Sequence, residues 1–420
     1  MLKIGATARG LVPLYGSTVM LAFGYGMVVP TIPVLATAFD VSIGVAAQVV
    51  TAHAAGRFVG QPVAGVLVDR LGPRLSLLGG PAVVAAGALS VVFTQSFAAL
   101  LAAVFLIGIG DSVLMLAREI AGIDVVRPAQ RGRLMSGFFG FNSLGMALGP
   151  ALGGLLTELI SFRAVFVVYA VLAALAIPIM LTVKTSGRPP ARPASDAERS
   201  APRAGLAARF GGVAGLLRAI EPRFRSMYLV LTFATFSMMI YRTTLQSMLP
   251  LYAGSELGFS PTQVGLLFSI SGGLVLAMIV PAGFVIDKIG RKWATVPSTA
   301  LPGVAFLLFP FADTFLQLAV LMSFLGVANG LSLGSVAVST YDIVPERVRG
   351  RLQAVRRTVA ETGAIGAPAA GGAIANAYGP GVPFAVFGPF MLLAAVLLAF
   401  GTRETLVKPA ARDVRPTVDT

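Results

Sequence analysis

The chain has 420 residues, of which 56% are hydrophobic and only 12% charged, with a mean hydropathy of +0.84. Soluble domains carry about twice that share of charge, so the composition argues against a soluble globular fold. With no cysteine and one histidine, disulfides, thiolate centres and histidine metal clusters are excluded, and the net charge of +14 has to be judged by where it lies.

The apolar residues fall in runs of roughly 20, the length that crosses about 30 Å of hydrocarbon as a helix. Twelve spans are expected, at 11–36, 45–68, 75–94, 98–122, 134–158, 164–183, 227–252, 263–286, 293–312, 315–339, 354–377 and 382–401. The beginning of the chain (Lys3, Arg9, then an apolar run) imitates a signal peptide, but the run is too long for one and is taken as an uncleaved first span. Span 1 ends in Val29-Pro30-Thr31-Ile32-Pro33, which predicts a kink. Span 2 carries His53 and, one turn on, Arg57.

Residues 65–74 read Gly65-Val66-Leu67-Val68-Asp69-Arg70-Leu71-Gly72-Pro73-Arg74. Gly65 and Gly72 permit a close helix approach and a tight turn. Asp69 suits a helix N-terminus, and Arg70 and Arg74 suit carboxylates at the membrane rim. Span 4 contains Gly108, Gly110 and Asp111, with Arg118 and Glu119 near its inner end, where they read as gate residues. Span 5 carries Gly145-Met146-Ala147-Leu148-Gly149-Pro150-Ala151-Leu152-Gly153-Gly154. Its small residues recur every fourth position and make one smooth face, which Pro150 can bend; the same pattern also suits ordinary packing.

Residues 184–225 form the one long loop, rich in Pro, Ser, Ala and Arg where it begins. It reads as a linker, with a weakly amphipathic basic stretch at 206–220 suited to a membrane surface. Span 7 holds Phe233, Phe236, Tyr241, Arg242 and Gln246. Span 8 ends in a second turn sequence, with Gly283, Asp287, Lys288, Gly290, Arg291 and Lys292 at the places of the first. Span 10 carries Asn329, and span 11 carries Arg357 and Glu361.

The two turn sequences lie 218 positions apart, and the offset recurs. It maps Gly108 on Gly326, Asp111 on Asn329, Arg131-Gly132-Arg133 on Arg349-Gly350-Arg351, and Gly145, Pro150, Gly153 and Gly154 on Gly363, Pro368, Gly371 and Gly372. The chain is therefore a duplication of a six-span unit. The units expected are an N-terminal bundle at 1–183, a linker at 184–225, a C-terminal bundle at 226–401 and a tail at 402–420. Of the 32 Lys and Arg, only Arg163 lies in a loop after an odd-numbered span. That is the positive-inside pattern with both termini cytoplasmic. The basic charge thus orients the chain and meets anionic lipid, and nucleic acid is not an expected partner.

On these residues the chain resembles the major facilitator superfamily over nearly its full length. The resemblance implies an all-α fold of two six-helix bundles that rock about a central cavity, with spans 1, 4, 7 and 10 lining it. It implies that the 65–74 sequence and its repeat latch an inner gate. The span-5 motif and the proline pair of span 1 resemble those of the twelve-span drug:proton antiporters. The chain departs from the family's patterns at three places: Pro73 stands where a basic residue is common, Ala367 replaces the repeat of Gly149, and Val104 and Phe105 stand where many members carry an arginine before Gly108.

A charge at the bilayer centre costs roughly 2.5–3.5 kcal/mol or more. Arg57, Asp111, Arg242 and Glu361 fall well inside spans, two of each sign, so mutual neutralisation is expected. Asp111 is the first candidate for a proton-coupling carboxylate: burial disfavours its charge and a mobile arginine favours it. The same residue also suits a permanent structural ion pair. Glu361 is a second candidate, although Arg357 lies one turn before it and favours a local pair. His53 is a third, because histidine titrates in the useful range; a lone histidine equally suits packing. Phe23, Tyr25, Phe233, Phe236, Tyr241, Gln246 and Asn329 are the cavity candidates, and aromatic residues in spans also simply pack.

The expected function is export of a small amphipathic organic compound by proton antiport through alternating access. The rivals are proton-coupled uptake of a metabolite or sugar, and a sensor or scaffold that does not transport. No phosphate loop, nucleophile–base pair or metal set is present, so neither an enzyme nor a cofactor is expected. A monomer in a bacterial cytoplasmic membrane is expected, the high Ala, Gly and Arg content suiting a GC-rich gene.

Overall fold

The computed structural model describes residues 2–126, 131–183, 217–332, 336, 339–340, 343–345, 348–402 and 404. The side chains of 2–10, 124, 131–133, 287 and 349–351 are not among those described. Most of the expected linker, most of the tail and the Asp287 side chain therefore lie outside the described residues.

The described residues form an all-helical fold. Span 1 is Leu2–Val28, continued through a tight turn at Val29–Thr31 into Ile32–Ala38. Pro30 and Pro33 cannot donate backbone hydrogen bonds, and the helix tightens there as expected. Spans 2 and 3 run as Gln48–Phe93 with a break at Gly72 (φ 81°). Spans 4, 5 and 6 are Phe97–Val125, Arg131–Leu159 and Phe162–Leu181. In the second half, span 7 is Pro222–Leu251, span 8 Pro261–Phe284, span 9 Arg291–Leu308, span 10 Phe315–Ser332, span 11 Arg349–Tyr378 and span 12 Val382–Gly401.

Among the described residues, ten helices are long and apolar enough to cross a membrane. The continuous helix through Gly72 accounts for two crossings. Span 11 falls short on apolar content because it carries Arg356, Arg357 and Glu361. With those two facts the helix order agrees with the twelve expected spans.

The helix starts follow from local chemistry. Ser96 and Ser161 accept hydrogen bonds from the backbone N–H groups of Ala99 and Ala164, three residues on. Ser260 and Gln263 form a reciprocal capping box, with Pro261 in the first turn. Both signature turns pivot on a glycine with positive φ, Gly72 at 81° and Gly290 at 151°, where a side chain would be strained. Beyond Gly290, the Glu404 carboxylate accepts from the backbone N–H groups of Arg291 (3.0 Å) and Lys292 (3.1 Å), so the tail side of span 12 caps span 9.

One apolar core lies wholly within residues 14–183, built around Phe166, Tyr169 and Leu77. A second lies wholly in the second half, around Tyr228, Leu231 and Leu352. The third joins the halves: Val29, Ile32, Ala46 and Val50 pack with Leu245, Met248 and Phe268. Tyr228 is buried and donates to the Leu352 carbonyl at 2.7 Å, tying span 7 to span 11. Tyr228→Phe is expected to lower stability by about 1 kcal/mol, because that carbonyl is left without its partner. Thermal unfolding in detergent micelles measures the change.

The halves close at the end remote from the signature turns. There the Gly44 N–H donates to Asn376 Oδ1 (2.7 Å) and the Thr262 N–H to Glu158 Oε2 (3.2 Å). A Cβ at Gly154 would meet the Pro261 carbonyl, and one at Gly265 the Pro150 carbonyl, so spans 5 and 8 touch backbone to backbone. At the turn end, Gly65, Gly72 and Gly283 have open space beside them.

Candidate functional site

The interior charges are organised by how closely spans 2 and 4 approach. A Cβ at Gly56 would meet the Phe105 carbonyl, and one at Gly108 the His53 carbonyl. Only glycine permits that separation. Ser112 Oγ locks it by donating to the Arg57 carbonyl at 2.7 Å. The result places His53 Nε2 2.9 Å from Asp111 Oδ2. His53 is buried, whereas the Asp111 side chain keeps 22% of its surface accessible. The Tyr25 ring stacks on the imidazole at 4.0 Å and 20°, which fixes its plane. Beside them lies a small cavity lined by Tyr25, His53, Val104, Ile107, Phe166 and Tyr169, with about 10 Å³ for the centre of a water molecule, room for roughly one. The Tyr169 hydroxyl is buried there and finds no hydrogen-bond partner among the described residues.

Sequence reasoning looked for an arginine beside Asp111 and found the wrong class of partner. The two residues are 58 positions apart, and the signal that joins them is the glycine pair Gly56 and Gly108, of which only Gly108 stood out. Tyr169 was not foreseen at all.

Arg57 meets one of the interior charges of opposite sign, as expected. Its Nη2 lies 3.9 Å from Glu361 Oε1, so this loose ion pair bridges span 2 of one half to span 11 of the other. The expected local pair of Arg357 with Glu361 does not form. Arg357 is exposed and lies within electrostatic reach of Glu119, as does Arg118. Arg118 donates to Thr18 Oγ1 at 3.1 Å and sits 5.5 Å over the Phe138 ring, so it binds spans 4, 1 and 5 of one half together. Arg242 forms no ion pair among the described residues, so the four interior charges do not neutralise one another two by two.

At the level of Asp111's repeat mate, Asn329 Nδ2 donates to Tyr241 Oη at 2.8 Å. Tyr241 is fully buried against Phe306 (5.3 Å). Phe23 is partly buried against the first core. Phe233 and Phe236 lie 6.5 Å apart and, like Gln246, are partly exposed.

The span-5 motif has two working faces. Cβ atoms at Gly145, Gly149 and Gly153 would meet backbone of span 1 at Phe23 and Met27, whereas Pro150 and Gly154 meet span 8. The small-residue face is thus confirmed as packing against span 1, and a second face seals the halves. In the first signature turn, Asp69, Arg70 and Arg74 are exposed and form no ion pair among the described residues. Lys288 of the second turn is likewise exposed.

Comparison with known proteins completes the picture. The family model of the Major Facilitator Superfamily matches residues 14–241 and 231–417. The chain is 29% identical over 150 residues to the probable sulfoacetate transporter SauU of Cupriavidus necator, covering 36% of this chain and 35% of that protein. It is 24% identical over 352 residues to the synaptic vesicular amine transporter of Homo sapiens, covering 82% and 64%. The chain thus spans about a third to two thirds of these relatives' length. Among solved structures, a D-xylose-proton symporter superposes with a TM-score of 0.74 at 18% identity, covering 94% of this chain and 98% of that one. A peptide transporter POT in complex with sulfate superposes with a TM-score of 0.76 at 15% identity, covering 94% and 97%. The fold, the matched family model and the duplicated turns converge: this chain is a multi-pass membrane protein and belongs to the major facilitator superfamily.

Proposed function

We propose that the protein is a proton-coupled exporter of small amphipathic organic compounds in a bacterial cytoplasmic membrane, with both termini cytoplasmic and bundles at 1–183 and 226–401. The observation that carries the reading is the His53–Asp111 hydrogen bond at 2.9 Å, a histidine–carboxylate pair set within the spans with part of the Asp111 side chain accessible. A histidine–carboxylate pair can take up a proton without leaving an isolated charge in low dielectric. Arg57 lies one turn from His53 and reaches Glu361 of the other half, so a change of charge at the pair is felt where the halves meet.

The cycle follows from these positions. With the far end sealed, substrate enters from the cytoplasm at the turn end while Asp111 is ionised. Rocking opens the far side, substrate leaves, and protonation from outside permits the return. The signature turns, with Gly65, Asp69, Arg70, Gly72 and Arg74 in one and Gly283, Asp287, Lys288, Gly290 and Arg291 in the other, serve as latches of the opposite state. The small-residue motif at Gly145, Gly149, Pro150, Gly153 and Gly154 supports antiport. Proton-coupled uptake is the second reading, favoured by the resemblance in fold to a proton symporter.

The test uses purified protein in proteoliposomes with an imposed pH gradient and a fluorescent amphipathic probe set spanning both charges. Accumulation that follows the gradient and collapses with a proton ionophore is expected. Probe movement indifferent to the gradient would sink proton coupling, and movement in the direction of the proton would favour uptake.

A further inference from the structure

We propose that Arg242 is the docking point for the negatively charged group of an amphipathic organic anion (a carboxylate, sulfonate or phosphate ester) and that the transported class is therefore anionic. The inference rests on the transporter reading above and names its substrate class.

Span 7 is packed along most of its surface, with Ser237, Met238, Tyr241, Thr244 and Leu245 all buried. The partly exposed positions over the same length include Thr235, Met239, Arg242 and Gln246. Their spacing of four, three and four residues puts them on a single stripe of the helix. A stripe bearing a guanidinium cannot face hydrocarbon without a large penalty. It therefore faces water-accessible space inside the protein, and span 7 borders spans 1 and 2 of the other half.

Every other interior charge already has company. Asp111 has His53, Arg57 has Glu361, and Arg118 has Thr18 and the field of Asp111 and Glu119. Arg242 alone of these makes no ion pair or hydrogen bond among the described residues, and its close titratable neighbour is Tyr241, which carries no charge as a phenol. A second guanidinium serves the same stripe: Arg356 Nη1 donates to Thr235 Oγ1 at 2.8 Å. Thr235 lies two turns from Arg242, about 10 Å along the axis. A guanidinium offers a planar fork of donors that matches carboxylate, sulfonate and phosphate oxygens in pairs. Met239 on the stripe and Phe236 beside it offer apolar contact for the rest of such a molecule. A cationic compound would meet uncompensated repulsion at the same place.

The test is binding, measured by thermal shift and by calorimetry on the purified full-length protein in detergent. The probes are naphthalene and hexyl series, each ending in a carboxylate, a sulfonate, a neutral amide or an ammonium group. Anionic members are expected to bind, and Arg242→Gln to weaken them by about tenfold or more, with Arg242→Lys intermediate. Arg242→Gln is expected to leave the melting temperature of the unliganded protein unchanged or raised, because an unpaired interior charge is removed; a structural role would lower it. Asp111→Asn is expected to keep anion binding, which separates this inference from proton coupling. Anions bound by wild type without uphill transport would overturn coupling and leave the docking point standing. Equal binding by Arg242→Gln, preference for the ammonium probes, or no anion bound at millimolar concentration would each overturn the docking point.

Discussion

Asp111→Asn is expected to abolish proton-driven transport while leaving passive exchange of substrate intact. Asparagine has the shape of aspartate and still accepts a hydrogen bond from the His53 side, 2.9 Å away, so packing between spans 2 and 4 survives. What disappears is the capacity to change charge. In the cycle proposed here the ionised carboxylate and its protonated form favour different states of the bundles, and without that difference a pH gradient has nothing to act on. Counterflow of labelled substrate, with substrate on both sides and no pH gradient, checks that the variant is folded and binds. His53→Gln is expected to reduce gradient-driven transport in the same assay, since it removes the partner that shares the proton. Full gradient-driven accumulation by Asp111→Asn would dismiss the residue from coupling. The repeat supplies a natural control, because the equivalent position already carries Asn329.

Gly154→Val is expected to unseal the end where the halves now meet. A Cβ at Gly154 falls on the Pro261 carbonyl, with the Thr262 Cα at 2.8 Å. These are backbone atoms, so no side chain can swing aside. Overpacking of this kind costs about 1–3 kcal/mol, which moves a two-state population by roughly five- to 150-fold. The penalty applies only while spans 5 and 8 are in contact, so the opposite state gains and the cycle slows. The chain has no cysteine, and a single cysteine introduced at Thr262 therefore reports the seal through a membrane-impermeant maleimide. Labelling is expected to rise strongly with Gly154→Val and to stay at the parent level with Gly273→Ala, where a Cβ meets open space. Unchanged labelling would show that the contact is not a seal.

The fold was legible in the sequence to an unusual depth because a membrane leaves few solutions. Apolar runs of spanning length, glycine turns and the 218 offset led to the helix order, and Gly72 and Gly290 bend where the motif places them. Span 11 shows the limit of apolar content alone: Arg356, Arg357 and Glu361 dilute it, and its likeness to span 5 reinforces the reading of 354–377 as a crossing. The interior charges were visible as residues and invisible as pairs. Spacing of four residues favoured Arg357 for Glu361, yet Arg57 of the other half reaches it, because helix neighbours compete with partners that only the tertiary fold brings near. The His53–Asp111 contact depends on two missing Cβ atoms, at Gly56 and Gly108, and such close approach has no periodicity to betray it. Glu404 as the cap of span 9 was hidden for a related reason, since a carboxylate in a tail has many helix ends within reach.

The two hydrogen bonds at the centre of the halves set a difference that duplication alone would not create. In the first half the bond joins His53 to Asp111. In the second it joins Asn329 to Tyr241, and the amide has no charge to gain or lose. On the reading proposed here, external acidity acts on one bundle only. Membrane voltage likewise does work on the proton taken up and given back in that bundle, while the charge of the other changes only with the anion docked at Arg242. Two copies of one ancestral unit would then have become a motor and a holder, and the part of the turnover current that depends on pH would carry the signature of the first bundle alone.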